Sequence, residues 1–490
     1  MDIVIFSLNF NAFIGHATIH FLQSAHLSSS AQSVETEEIT LFEEDNLPGD
    51  LDLGGKSITI LYREEEVKEF YMAEQSGDIV EDAVYMSNKN VEERLNVKID
   101  MLTRLGNAGD DRTQFVNFVT NTVMSGDDTF QVAAALTYNM PAFIQNNLLI
   151  NLMDVQYLNF DQPWWVEALV ELGTIGDQLL LASGDASLSL IKKTFCLYFN
   201  QNLLESLDLE NPYEMVYNNT WVRDNFAAMA KSVYTDLNGN GEEDDQDQYG
   251  FSIYDRNHMN LFIGAFDLKV TEKDASGYPA IVFGNNKVAS AVEYLCDFFA
   301  NNNGITFNDM SDAGASLEKH ESIRNMFISG RSLFVSAEFN NAEFYRDMED
   351  TYGVLPLPKW DESQKDYYTV ARNIYSSFGI PKTCGDLEIT GAVLEAIASE
   401  NYRTLSPIYF ETALKVKYSN DTEDAHMYDI IKNGLKFNFG YTYHLIVNMT
   451  DFFGNAILTN NPAWISTYES NEAKSIAAID KFVQQVTDNQ

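Results

Sequence analysis

Ser57-Ile58-Thr59-Ile60-Leu61-Tyr62 is a β-branched, alternating run, and two runs of the same character follow it: Val97-Lys98-Ile99-Asp100-Met101-Leu102 and Phe130-Gln131-Val132-Ala133-Ala134-Ala135. Between them, residues 79–95 and 113–124 carry apolar side chains at helical spacing. Strand, helix, strand, helix, strand predicts a parallel sheet covered by helices, with ligand crevices at the carboxyl ends of its strands. Arg63 and Glu64 follow the first strand, and Tyr138 and Asn139 follow the third. Those are the positions a ligand would meet.

A second α/β unit begins near Pro163-Trp164-Trp165. Its strand-like runs at 179–182, 194–199, 251–254, 281–283 and 333–335 alternate with helical patterns at 201–207, 221–234, 287–301 and 318–327. From Asp386 helices dominate, at 387–399, 404–418, 425–433 and 473–486. No solenoid repeat is visible.

The chain has 490 residues, 45% of them hydrophobic and 13% aromatic, enough for two moderate cores. Its formal net charge of −42 would repel a phosphate backbone, and there is no basic patch, so nucleic acid is excluded as a partner class and adhesion to an anionic membrane is disfavoured. Cys196, Cys296 and Cys384 are three and far apart, which fits neither a disulfide framework nor a zinc site. The first 30 residues are apolar but contain no Lys or Arg, and Asn9, Asn11, Gly15 and His16 interrupt them. We read residues 1–55 as a degenerate export signal followed by an acidic tether, lipoprotein-like in layout but with no cysteine to carry a lipid.

Asp236-Leu237-Asn238-Gly239-Asn240-Gly241-Glu242-Glu243-Asp244-Asp245-Gln246-Asp247 matches the spacing of a calcium loop. Asp236, Asn238 and Asn240 would supply side-chain oxygens, Gly241 the turn, Glu242 a backbone carbonyl and Asp247 the closing acid. Asp247 is one methylene shorter than the usual glutamate, which favours weaker binding. The following run at 249–254 reads as a strand and not as a second helix, so the expectation is a structural Ca²⁺ staple; the alternative is a solvated Asx turn.

Three further blocks carry a family resemblance. Leu197-Tyr198-Phe199-Asn200-Gln201, Gly353-Val354-Leu355-Pro356-Leu357-Pro358-Lys359-Trp360, and Asn401-Tyr402-Arg403-Thr404-Leu405-Ser406-Pro407 resemble the extracellular solute-binding proteins of bacterial ABC importers, family 1, carbohydrate type. The resemblance spans about 56–490. It implies a two-lobe periplasmic-binding-protein-like (type II) α/β fold with a hinge and a central ligand cleft. Lobe I would comprise 56–163 plus 366–430, and lobe II 164–365 plus 431–490. It further implies an extracellular, cell-surface-associated monomer that captures an oligosaccharide or glycoside without catalysis and hands it to membrane permease subunits.

Sugars are held by aromatic faces and by planar polar groups that hydrogen-bond their hydroxyls. Candidates at strand ends and crevice loops are Arg63, Tyr138, Asp185, Glu338, Phe339, Asn340, Arg372 and Tyr443. Each taken alone is as well explained by a structural role. Trp164 and Trp165 read either as stacking residues or as packing at the hinge. A peptide or polyamine receptor of the same fold is the nearer alternative, since an acidic chain suits a cationic ligand. A glycoside hydrolase is the more distant one: acid pairs such as Glu338 and Glu343 are easily found among 73 acids, and no GxSxG, HExxH, Walker A or GxGxxG spacing occurs.

Overall fold

The computed structural model describes residues 44–254, 256–307, 317–417, 419 and 422–488; most of the 1–55 segment therefore lies outside the described residues. In the first lobe, β1 (Lys56–Arg63) lies parallel to β2 (Val97–Arg104), with Lys56 opposite Val97 and Arg63 opposite Arg104. On its other side runs β3 (Val132–Leu136), also parallel, with Ile60 opposite Val132. Alternate residues of β1 face opposite ways: Ile58, Ile60 and Tyr62 enter one core, Leu61 the other. A sheet buried on both faces explains the nearly continuous apolar run. Helix α1 (Ile79–Leu95) starts where Asp78 accepts the amides of Val80 and Glu81, and ends at Asn96 in the left-handed region (φ 47°). Helix α2 spans Gly109–Met124.

The second sheet holds β4 (Phe195–Asn200), β5 (Tyr249–Ile253), β8 (Ile305–Phe307), β9 (Ser332–Glu338) and β10 (Tyr352–Leu355), in the order β10-β4-β9-β5-β8; β6 (Thr271–Lys273) and β7 (Pro279–Ile281) form a separate hairpin. The helix Arg223–Val233 packs so closely on this sheet that a Cβ at Gly250 or Gly304 would lie 1.9 or 2.0 Å from the Ala230 carbonyl. After β10 the chain returns to the first lobe as β11 (Ser376–Gly379), antiparallel to β3, giving that sheet the order β11-β3-β1-β2.

Two chain segments cross between the lobes side by side. Ala182 bridges Phe378 at the first sheet and Thr194 bridges Ala371 at the second, so 183–194 and 370–375 form a paired connection. A third crossing is a wide π-type helix, Ile408–Lys417, leading to the helix Thr422–Asn433. In that helix Asp424 accepts the Val354 amide (2.9 Å) and the Tyr213 hydroxyl (2.6 Å), which ties it to the second lobe.

These contacts move the boundaries expected from sequence. Residues 164–182 stay with the first lobe rather than opening the second, because Trp164 and Trp165 pack beside Ile60 and Val132 and donate their indole N–H groups to Glu395 of the helix Leu387–Arg403. The stretch 422–430 belongs to the second lobe rather than the first. The end of the expected tether is part of the fold: Leu47 and Leu53 are buried, and the Asp45 carboxylate receives both Arg94 nitrogens at 2.5 and 2.6 Å. Residues 179–182 make one bridge and no strand.

Candidate functional site

Between the lobes, the ends of β1 and β3 face the ends of β5 and β9. On the first-lobe side, Arg63 is 1% exposed and donates to Asn107 and, at 2.8 Å, to the Ser376 hydroxyl. Glu66 lies 3.6 Å from the Lys193 ammonium on the first crossing. Burial opposes the Glu66 charge, but Lys193, Arg63 and Lys192 together hold its carboxyl below the ordinary range. Glu69, one turn further, has no hydrogen-bond partner for either oxygen among the described residues, and burial plus the Glu66 charge pushes it up to about 7.

The second-lobe side is built around Glu338, the last residue of β9. Its carboxylate sits 2.9 Å from Arg372 on the return crossing and 3.6 Å from the His258 imidazole. Burial works against this charge too, yet Arg372, Lys193 and His258 keep the pKa below its ordinary value. Asn340, in the amide orientation that satisfies its neighbours, donates to the Lys192 carbonyl (3.1 Å) and accepts from Lys193 (3.3 Å). A cavity of about 200 Å³ opens here, lined by Tyr254, His258, Glu338, Asn340, Phe344 and Arg372 among others.

A third group joins the two sides. The Tyr138 amide donates to the Asn373 carbonyl (3.1 Å), and its ring lies 4.6 Å from the His444 ring of the second lobe. Asn373 Nδ2 donates to His444 Nδ1 at 2.8 Å, which requires an acceptor there, and burial lowers that imidazole to about 4. The Arg112 guanidinium covers the other part of Tyr138, 4.4 Å from its centroid.

Of the residues singled out from sequence, Glu338, Asn340 and Arg372 are at the cavity, and Arg63 and Tyr138 are close to it on the first-lobe side, grouped with Arg372 around Arg112. Three lie elsewhere. Asp185 lies buried behind the crossing, where its carboxyl accepts from Ser406 and its carbonyl from Asn401; burial pushes it to about 7. Phe339 is core, 5.1 Å from Tyr428, because the chain turns into the short 3-10 helix Phe339–Asn341 after Glu338 and buries its first residue. Tyr443 is 2% exposed and stacks on Phe439, one helical turn earlier, at 4.5 Å. Sequence reasoning missed His258, Phe344, Arg112, Lys192, Lys193 and His444. Phe344, 49% exposed, stands on the cavity rim five residues beyond Phe339.

The 236–247 loop lies apart from this space. Asp236 accepts the amides of Gly239 (2.7 Å) and Gly241 (2.9 Å), Asn238 that of Asn240, and Asn240 that of Glu242. Asp247, fully buried, reaches back to the Leu237 amide and so closes the loop. Among the described residues no three His, Cys, Asp or Glu side chains converge as a metal site. The loop's oxygen set is mixed, with two asparagines and a carbonyl, and an oxygen that accepts one N–H keeps a second lone pair. This donor set fits a hard cation.

The fold was compared with known proteins. No family model matches the sequence, and no match to a curated protein was found. Solved structures do match. An ABC transporter solute-binding protein from Thermotoga lettingae, bound with α-D-tagatose, aligns with TM-score 0.55 and 14% identity over 86% of this chain and 100% of its own. The GacH receptor of Streptomyces glaucescens, solved unliganded and with acarbose, gives 0.54 and 10% over 89% and 100%. A cyclo/maltodextrin-binding protein complexed with maltotetraose gives 0.53 and 13% over 88% and 96%. The chain has the two-lobe fold of the periplasmic binding proteins. At these identities the likeness is one of fold.

Proposed function

We propose that this protein is the extracellular solute-capture component of an ABC importer, that it binds an oligosaccharide or glycoside between its lobes, and that hinge closure, not catalysis, is its action. The observation that carries this reading is the interlobe space itself. Planar polar groups (Asn340, Glu338, Arg372) and aromatic side chains (Tyr254, Phe344) line a cavity beside the crossings that connect the lobes, and Arg63 and Tyr138 lie on the first-lobe side of those crossings. Ligands of that kind in structurally similar proteins support it. Among the described residues no helix is long and apolar enough to cross a membrane, so permease subunits would supply the passage.

The cleft chemistry disfavours the rivals. A hydrolase acid must hold its proton, whereas Glu338 is kept ionised by Arg372 and Glu343 is paired with Lys192 at 3.2 Å. A polyamine would meet Arg63, Arg372, Lys192 and Lys193. Titration calorimetry against a panel of neutral and acidic oligosaccharides is expected to find micromolar or tighter binding of at least one, with the saccharide recovered intact. Cleavage of the saccharide, or binding of spermidine in preference to every saccharide, would refute the reading.

We also propose that Ca²⁺ occupies the 236–247 loop, held by Asp236, Asn238, Asn240, the Glu242 carbonyl and Asp247. It would act as a staple in the second lobe.

A further inference from the structure

Arg112 sits in the first turn of α2, where the helix dipole disfavours a cation. It is also half-buried and feels two other guanidinium groups, Arg63 and Arg372, each opposing its charge. Among the described residues no carboxylate lies within ion-pair distance of it or of Arg63, whereas the bases nearest them are paired: Glu66 faces Lys193, Glu343 faces Lys192, Glu338 faces Arg372, and Asp451 lies 3.7 Å from Arg256. Its own neighbours Asp110 and Asp111 form no ion pair with it. What holds Arg112 is uncharged: the Asn107 carbonyl at 2.7 Å and the Tyr138 side chain, which hydrogen-bonds it and presents its ring at 4.4 Å, while its Nε is buried without a partner.

A cation placed against dipole, burial and like charge, in a chain with a net charge of −42, is a position that an anion would relieve. Resting on the receptor reading above, we infer that the ligand is an acidic saccharide, and that Arg112, seated against Tyr138, receives its carboxylate. The cavity beside Glu338 and Asn340 would take the hydroxyl-bearing remainder, since those groups suit hydroxyls and Glu338 repels a second carboxylate. A guanidinium can meet a carboxylate with two parallel N–H bonds, which gives both strength and orientation.

The test uses matched pairs of probes on the full chain. Binding is measured by calorimetry for oligogalacturonides and for the same oligomers with their carboxyls reduced to alcohols. Xylo-oligosaccharides with and without a glucuronate branch form a second pair. The wild-type protein is expected to bind an acidic member roughly tenfold or more tightly than its neutral counterpart, with the difference shrinking as salt is raised. Arg112→Gln should bring the ratio close to one, by weakening the acidic members far more than the neutral ones. Equal or tighter binding of the neutral members by the wild-type protein overturns the inference and leaves the sugar-receptor reading standing. An acidic preference that survives in Arg112→Gln overturns the role given to Arg112. Binding of none of the four overturns both the inference and the reading beneath it.

Discussion

Glu395 has zero exposure yet carries a carboxyl, and its two oxygens meet the indole N–H groups of Trp164 (3.0 Å) and Trp165 (2.8 Å). Burial pushes its pKa to about 7 despite those donors, and burial does the same to Asp185 and Glu69. A carboxyl with a raised folded-state pKa binds a proton that the unfolded chain releases. Its stabilising contribution is fully present below the unfolded value near 4 and is lost as pH rises through about 7. His444 works the other way: lowered to about 4, it adds stability as pH rises from there to the ordinary imidazole value. With three groups against one, the melting temperature is expected to be higher at about pH 5.5 than at about pH 8. A melting temperature that climbs steadily between those points would contradict the assignment. Trp165→Phe removes the stronger of the two donors to one Glu395 oxygen and leaves it only the Asn159 amide at 3.3 Å, at an expected cost of about 1–3 kcal/mol in chemical denaturation. None of this was legible in the sequence, because Trp165 and Glu395 are separated by 230 positions. The same limit explains Asp185: the sequence offers it as a crevice-loop candidate, and only the packing of Asn401 and Ser406 against it shows a tie between segments.

Local periodicity served the elements well where one element decides the matter. The helix read at 79–95 coincides with α1, and the three strands of the first sheet are all present, because alternation and helical spacing are imposed by burial within each segment. It failed where pairing comes from afar. The strands Tyr352–Leu355 and Ser376–Gly379 have only four residues each, and they exist because β4 and β3 offer them an edge. The helical series from Phe439 to Leu458 was missed because it is broken into short pieces, two of four residues each. Glu338 and Phe339 show the limit at one position: Glu338 ends β9 and lines the cavity, while Phe339 opens the short turn after it and is buried in the core. At this scale the calcium loop also makes a prediction. Millimolar Ca²⁺ should raise the melting temperature by linkage, Asp236→Ala should erase that rise, and saccharide affinity should hold. An equal rise in Asp236→Ala would refute binding at this loop.

At the scale of the whole molecule, the paired crossings 183–194 and 370–375 connect the two sheets, and charged residues on them reach into both lobes. Lys193 meets Glu66 of the first lobe, while Arg372 meets Glu338 of the second. On the proposed reading, a ligand held between the Tyr138 side and Glu338 and Asn340 would gain its full set of contacts only with the lobes together, so binding would select the closed state. The sequence made the two-lobe arrangement legible through its repeated α/β pattern, but it put the crossing at Pro163, because the aromatic pair beyond it suggested a boundary. The pair instead fills the first lobe's core.

The central claim is closure on a saccharide without turnover, and small-angle X-ray scattering with a saturating oligosaccharide from the binding panel tests it most directly. The account predicts a smaller radius of gyration in the presence of the saccharide, restored when the intact saccharide is dialysed away. An unchanged radius at proven saturation, or a saccharide that returns shortened, would contradict it.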